Sequence, residues 1–372
     1  MPRRFLIAPD KFKGSLTALE AAEAIAAGVR RLEPDAELDL CPISDGGEGF
    51  METLISSLHG KWITCPAVDA LGRCVASRYV LVDTPEGPAA ILEMSETAGL
   101  WRLATDERDP AHATTRGVGM QIAHAVSGYA VTRVILGLGG SATNDGGCGM
   151  AAALGIGFWD ADHVEIDPLP AHLMRLQRVD FQHRIALPEI IAACDVDHPL
   201  LGPRGATAIF SGQKGAAPED KTALETALAH LVSISGGDEA ALVPGAGAAG
   251  GLGFGVLHFA EAKLVSGFDL LARLLDLETR IKAADQVITG EGSLDHQSLG
   301  GKGPVALARL ANRWSVPVTG FCGQADDAAR ASRIFHSIHA LADTGLPLAT
   351  LISRAGPLLT ERVVQAELIP EK

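Results

Sequence analysis

Cysteine is too sparse and too scattered in this chain to clip anything together. Its six cysteines (Cys41, Cys65, Cys74, Cys148, Cys194 and Cys322) include no C-x-x-C pair, which argues against structural zinc and a disulfide framework. Positive charge is also short. Lys and Arg number 31 against 45 Asp and Glu, for a net charge of −14. Nucleic-acid binders normally carry a basic face, so no nucleic-acid partner is expected. No apolar run has the length of a membrane span. The stretch Phe5-Leu6-Ile7-Ala8 stops at Pro9-Asp10, too soon for a signal sequence. A soluble cytoplasmic protein without membrane contact is the expectation. The P-loop pattern is absent, and so is the protein-kinase signature set.

Glycine, in contrast, is abundant, with 42 in 372 residues. The glycines gather in loops rather than at a fixed period, as in an enzyme rich in tight turns. The length, with 47% hydrophobic and 20% charged residues, suffices for two domains with cores. The densest run is Gly137-Leu138-Gly139-Gly140-Ser141-Ala142-Thr143-Asn144-Asp145-Gly146-Gly147-Cys148-Gly149. The apolar strand Val134-Ile135-Leu136 leads into it, and a small-residue helix from Met150 to Leu154 is expected after it. Glycine amides approach an anion closely, and Ser141, Thr143, Asn144 and Asp145 add polar groups. Strand, loop and helix start together suit a phosphate or carboxylate.

Elsewhere the chain alternates strand, loop and helix. Phe5–Ala8 reads as a strand, and Thr17 with Glu20 reads as a capping box. Leu16, Leu19, Ala22, Ile25, Ala26 and Val29 keep helical spacing up to Pro34. A second strand at Leu38–Pro42 leads through Ser44-Asp45-Gly46-Gly47-Glu48-Gly49 to a helix at Phe50–Leu58. Arg78–Val82 and Ala89–Met94 flank a turn and read as a hairpin. Ile190–Ala193 is a strand ending at Cys194-Asp195, and Glu219–Ser233 is a helix. Ala241-Leu242-Val243 reads as a weak strand, with Pro244–Gly255 a second glycine-rich loop. The strand Val287–Thr289 is followed by Gly290–Gln297 as a loop. A helix near Pro304 and a strand at Val316–Thr319 come last. Polar residues at strand carboxyl ends mark where open parallel sheets bind ligands. The two ends share a style that the middle lacks. The expected class is α/β, with a discontinuous domain of residues 1–70 plus 285–372 and an inserted α/β domain of residues 71–284.

Two runs match the dinucleotide fingerprint by pattern. One is Gly137-x-Gly139-x-x-Ala142, with Asp160 further on, and the other is Gly245-x-Gly247-x-x-Gly250. An NAD-dependent hydroxyacid dehydrogenase is therefore a rival reading. In the first run, however, Asn144-Asp145-Gly146-Gly147 postpones the helix. The polar kit better matches phosphoryl transfer, which needs phosphate donors, a carboxylate for Mg²⁺, a cation and a base. Lys13 precedes a helix. Asp45 and Glu48 lie among glycines. Asp195 ends a strand, Lys214 stands in Gly212-Gln213-Lys214-Gly215, Glu291 and Asp295 follow a strand, and Lys302 lies between Gly301 and Gly303.

Seven segments in order resemble the bacterial glycerate kinases of the first type. They are Ile7–Leu16, Ser44–Gly49, Gly139–Gly147, Ala193–Val196, Gln213–Gly215, Pro244–Gly251 and Thr289–Gly292. Lys11 departs from the serine common in that family. The resemblance implies a discontinuous flavodoxin-like domain, a second α/β domain and an interdomain cleft. It implies ATP-dependent phosphorylation of D-glycerate, with 2-phosphoglycerate favoured over the 3-isomer. ATP and Mg²⁺ are the expected cofactors, and a homodimer is an open expectation. Asp195 is expected as base, with Lys13, Lys214 and Asp10 catalytic. Asp45, Gly139, Gly140, Ser141, Thr143, Asn144, Asp145, Gly247, Gly250 and Lys302 are expected to contact substrate or nucleotide. Glu291 and Asp295 are expected to hold the metal. A sugar-acid sensor on the same fold is the non-catalytic alternative.

Overall fold

Short apolar runs alternate with amphipathic helices, and in the computed structural model the runs become parallel strands. The structure describes residues 2–44, 49–84, 86–296, 298–301, 303–366 and 368. The chain is α/β and divides into two units. One comprises residues 1–45, 52–57 and 268–372, and the other residues 46–51 and 58–267.

The first unit holds five parallel strands in the spatial order Ser337–Ala340, Val318–Ala325, Gln286–Leu294, Arg4–Ile7, Glu37–Leu40. Numbered along the chain and read from the Glu37–Leu40 edge, that order is 2-1-3-4-5, the doubly wound flavodoxin-like order. The direction of winding reverses between Arg4–Ile7 and Gln286–Leu294. The helix Ala18–Leu32 starts at Thr17, whose side chain accepts from the Glu20 amide at 3.2 Å while Glu20 accepts from the Thr17 amide at 2.8 Å. Its apolar face (Ala22, Ile25, Val29) packs with Leu359 and Val363 over Phe5, Ile7 and Ile288.

The second unit holds a six-stranded sheet in the order Lys263–Val265, Glu189–Ala193, Arg133–Gly137, Gly87–Glu93, Cys74–Thr84, Lys61–Val68. The first four strands are parallel, and the last two turn antiparallel. The four parallel strands end level. Glu93 pairs with Gly137, Gly137 with Ala193, and Ala193 with Val265. Four loops therefore leave one edge side by side, at the carboxyl end where such sheets place ligands.

Three local expectations change. The segment Gln286–Leu294 is one strand, so Glu291 lies within it rather than in a loop. Regular pairing of Glu291 with Cys322 and of Leu294 with Ala325 holds it extended. Residues Asp238–Leu242 are helical, not a strand. The second glycine run enters the helix Ala248–Ala260 through three left-handed residues, Ala249, Gly250 and Gly251.

Candidate active site

The glycine run that follows Arg133–Gly137 splits into an outer tip and a buried base. Gly139 is half-buried and Gly140 exposed, whereas Ser141 to Met150 are buried. At the tip, Leu100 N–H donates to the Gly140 carbonyl at 2.9 Å, and Ala142 N–H donates to the Ala98 carbonyl at 2.8 Å. Among the described residues no acceptor takes the amides of Gly139, Gly140 and Ser141, nor the Ser141 hydroxyl. Three consecutive amides without a partner at a strand end are donors available to an anion.

The base is fixed by Asp145. Its Oδ2 accepts from the Thr115 amide and the Thr115 hydroxyl, each at 2.8 Å, and from the Gly149 amide at 3.1 Å. Its Oδ1 accepts from the Gly147 amide at 3.1 Å. Thr115 immediately precedes the helix Arg116–Tyr129, and the helix Cys148–Ala153 starts beside Gly147. One carboxylate thus satisfies donors at the starts of two helices, where negative charge is favoured. Burial pushes its pKa up, and the four donors pull it back. Asn144 is also buried, and its Nδ2 donates to Thr207 Oγ1 at 3.1 Å.

Lys214 is buried as well. Its Nζ donates to the Thr143 carbonyl at 2.7 Å. It braces the loop from within, ahead of any contact with substrate. Burial pushes its pKa down to about 7, against the attraction of Asp145. Above pH 7 the folded chain sheds this proton, while the unfolded chain keeps it up to the ordinary value of 10.5. The unfolded state then holds more protons, so stability rises with pH across that window. Buried thiols such as Cys41, Cys148 and Cys322, held above their ordinary value, lower stability toward pH 10 in both proteins, so the expected signal is the difference: between pH 7 and 10 the urea midpoint of the wild type rises relative to that of Lys214→Met. Parallel slopes would contradict a buried, titrating Lys214.

The second glycine run packs on the first, backbone to backbone. A Cβ at Gly250 would overlap the Thr143 carbonyl oxygen, and one at Gly255 would lie 2.6 Å from the Gly147 Cα. The Gly146 amide donates to the Gly250 carbonyl at 3.1 Å. Gly247 and Gly250 are both buried. These glycines serve close packing, so the second fingerprint match does not form a dinucleotide loop. The first match also lacks the prompt helix start of that motif, since its helix begins only at Cys148.

Asp195 sits two residues past the neighbouring strand end. Its Oδ1 accepts from the Gly267 amide at 2.9 Å and from Ser266 Oγ at 3.3 Å. Glu93, which no sequence pattern singles out, ends the strand on the other side of Arg133–Gly137. This buried carboxylate accepts from the Met51 amide at 2.7 Å and from Ser95 Oγ at 3.2 Å. Thr115 was passed over too, although a threonine pair just before a helix was a usable cue.

In the first unit, Asp10 and Glu291 meet at the point where winding reverses. The ladder between Arg4–Ile7 and Gln286–Leu294 continues beyond the strand, with Ala8 N–H donating to Ile288 O and Asp10 N–H to Gly290 O, both at 2.8 Å. Asp10 is thus a lateral neighbour of Glu291. A Cβ at Gly303 would lie 3.1 Å from Asp10 Oδ2, and one at Gly292 would lie 3.1 Å from the Lys13 amide. Lys13 itself is exposed. Asp295 is further off. An extended strand puts Leu294 ~10 Å beyond Glu291, and Asp295 follows it. Its carboxylate takes the Ser298 amide at 3.2 Å and Ser293 Oγ at 3.4 Å. A Mg²⁺ ion takes its oxygen ligands at ~2.1 Å; in the strand register Asp10 is the carboxylate beside Glu291, and Asp295 lies past the strand end. Among the described residues no group of three or more His, Cys, Asp or Glu side chains is placed to hold a metal. Two carboxylates are enough for Mg²⁺ when substrate oxygens and water complete its shell. Asp45 and Lys302 lie outside the described residues.

Known proteins are similar to this chain over most of its length. The model of the glycerate kinase family matches residues 5–368. The glycerate kinase of Haemophilus influenzae is 42% identical over 326 residues, which cover 86% of this chain and 85% of that one. The glycerate 2-kinase of Escherichia coli K12 is 39% identical over 337 residues, covering 87% and 86%. The crystal structure of a protein described as glycerate kinase 2 from Salmonella typhimurium LT2 superposes with a TM-score of 0.86 at 34% identity, over 98% of this chain and 97% of that one. No helix among the described residues is long and apolar enough to cross a membrane. With the family model spanning nearly its whole length, the chain belongs to the glycerate kinase family.

Proposed function

We propose that the protein transfers the γ-phosphoryl group of ATP to the 2-hydroxyl of D-glycerate in one in-line step. The observation that carries this reading is the run of three unpartnered amides at Gly139, Gly140 and Ser141, on an edge of aligned strand ends in a member of this family. Phosphoryl transfer is mostly positioning and charge stabilisation, and backbone donors supply both. Asp145 and Lys214 position this loop from behind, with Thr143 and Asn144 as the groups they hold. Asp195, at the next strand end, is the candidate base for the glycerate hydroxyl. In the first unit, Lys13 is the candidate cation, and Asp10 and Glu291 are the carboxylates that would hold Mg²⁺, which supplies charge neutralisation when bound. Asp295 shapes the turn that follows.

The test is ADP release in a coupled assay with ATP and D-glycerate, run beside a 340 nm assay with NADH and hydroxypyruvate. ADP release without NADH oxidation is the expected result. NADH oxidation without ADP release would restore the dehydrogenase. In the same assay Asp195→Asn is expected to lower kcat more than about tenfold, as for loss of a general base. A smaller loss would remove Asp195 from that role.

A further inference from the structure

We propose that Trp101 is the platform on which the purine base of the nucleotide stacks, with the phosphates directed to Gly139, Gly140 and Ser141. The inference rests on the reading of the chain as an ATP-dependent kinase. Trp101 is 57% exposed, more than any other Trp, Tyr or Phe among the described residues.

The ring is nevertheless held firmly. Its Nε1–H donates to the Ser95 carbonyl at 2.9 Å. The Arg102 guanidinium lies 4.5 Å from the ring centroid and is itself anchored, its Nε donating to the Glu96 carbonyl at 2.6 Å. Residue 99 has to be small, because a Cβ there would fall 2.9 Å from Trp101 Cδ1. One edge and one side of the indole are thus fixed while more than half of its surface stays open. A ring already ordered loses little entropy when a ligand stacks on it.

Its place in the unit selects the ligand. Leu100 N–H bonds to Gly140 O and Ala142 N–H to Ala98 O, which makes an antiparallel bridge between Gly99 and Ser141. The turn Leu100–Arg102 that carries Trp101 is therefore fastened to the tip that presents the free amides. An exposed aromatic ring on a turn fastened to a row of amide donors matches a molecule with a flat base and a phosphate chain. Stacking of a base on an aromatic face needs no hydrogen-bond code. Glycerate, which has no ring, gains nothing from the indole.

Steady-state kinetics of Trp101→Ala and Trp101→Phe, with fluorescence titration by ADP, test the assignment. Trp101→Ala is expected to raise KM for ATP about tenfold or more, with kcat and KM for D-glycerate within about threefold of wild type. Trp101→Phe keeps an aromatic face and is expected to lie close to wild type. ADP should quench the wild-type fluorescence, and Trp101→Phe should abolish the quench although Trp62, Trp159 and Trp314 remain. An active Trp101→Ala enzyme with unchanged KM for ATP overturns the platform and leaves the kinase reading standing. A rise confined to KM for D-glycerate overturns it as well. Wild-type protein that releases no ADP with ATP and D-glycerate overturns the kinase reading, and the platform with it.

Discussion

Asp145→Ala is expected to destabilise the protein by about 4 kcal/mol or more, at about 1–3 kcal/mol for each buried donor left unpaired. Four donors lose their acceptor together, namely the Thr115 amide and hydroxyl and the amides of Gly147 and Gly149. Two helix starts also lose the negative charge beside them, and the buried Lys214 loses an attractive neighbour. The comparison with Asp145→Asn separates shape from charge. Asparagine keeps one acceptor oxygen but turns an NH₂ toward groups that themselves donate. It should therefore recover only part of the lost stability. Urea unfolding of both variants, read beside their activity, checks this. The expected pattern is that stability and activity fall together. An Asp145→Asn protein as stable as wild type but inactive would instead put the carboxylate on the substrate.

Gly250→Ala should be nearly as damaging, for a different reason. Gly250 has φ +67°, and a Cβ built there overlaps the Thr143 carbonyl oxygen and lies 2.6 Å from the Thr143 carbonyl carbon. Left-handed backbone costs an alanine about 1–2 kcal/mol, and forcing atoms into a packed interior costs about 1–3 kcal/mol more. The displaced carbonyl is the acceptor of Lys214 Nζ, so the strain passes directly to the loop. A loss of about 2–5 kcal/mol in urea unfolding is expected on those two counts. Gly128→Ala is the control, since Gly128 is an exposed helix residue with nothing within 4 Å of its added Cβ. It should be neutral or stabilise by up to about 1 kcal/mol. Equal stability of Gly250→Ala and wild type would contradict the close packing of the two glycine runs.

Much of the chemistry was legible in the chain because it lies where local patterns break. The Gly139–Gly147 run follows an apolar strand and holds too many glycines for a helix or sheet, so a special backbone was readable there. The same reasoning could not divide that run into an outer tip and a buried base. Asp145 looks like any loop acid until Thr115, thirty residues earlier, is seen to bond to it. Lys214 was read as a charge for the transferring group because two glycines flank it. Its burial depends on contact with Thr143, seventy-one residues away. Gly290-Glu291-Gly292-Ser293 has the composition of a turn, yet pairing with Val318–Ala325 keeps it a strand, because tertiary pairing overrides weak β-propensity. That pairing sets Glu291 beside Asp10 in register. Trp101 gave no signal at all. A lone tryptophan has no pattern, and its meaning comes from a backbone bridge between Gly99 and Ser141.

In the proposed reaction D-glycerate is phosphorylated at its 2-hydroxyl. A ³¹P NMR spectrum of the product made from ATP and D-glycerate tests it most directly. Phosphate on the 2-oxygen couples to one methine proton and gives a doublet, whereas phosphate on the 3-oxygen couples to a methylene pair and gives a triplet. A new phosphomonoester doublet that grows in step with ADP is expected. A triplet would contradict the assigned hydroxyl, and a spectrum with no new phosphomonoester signal would contradict the activity itself.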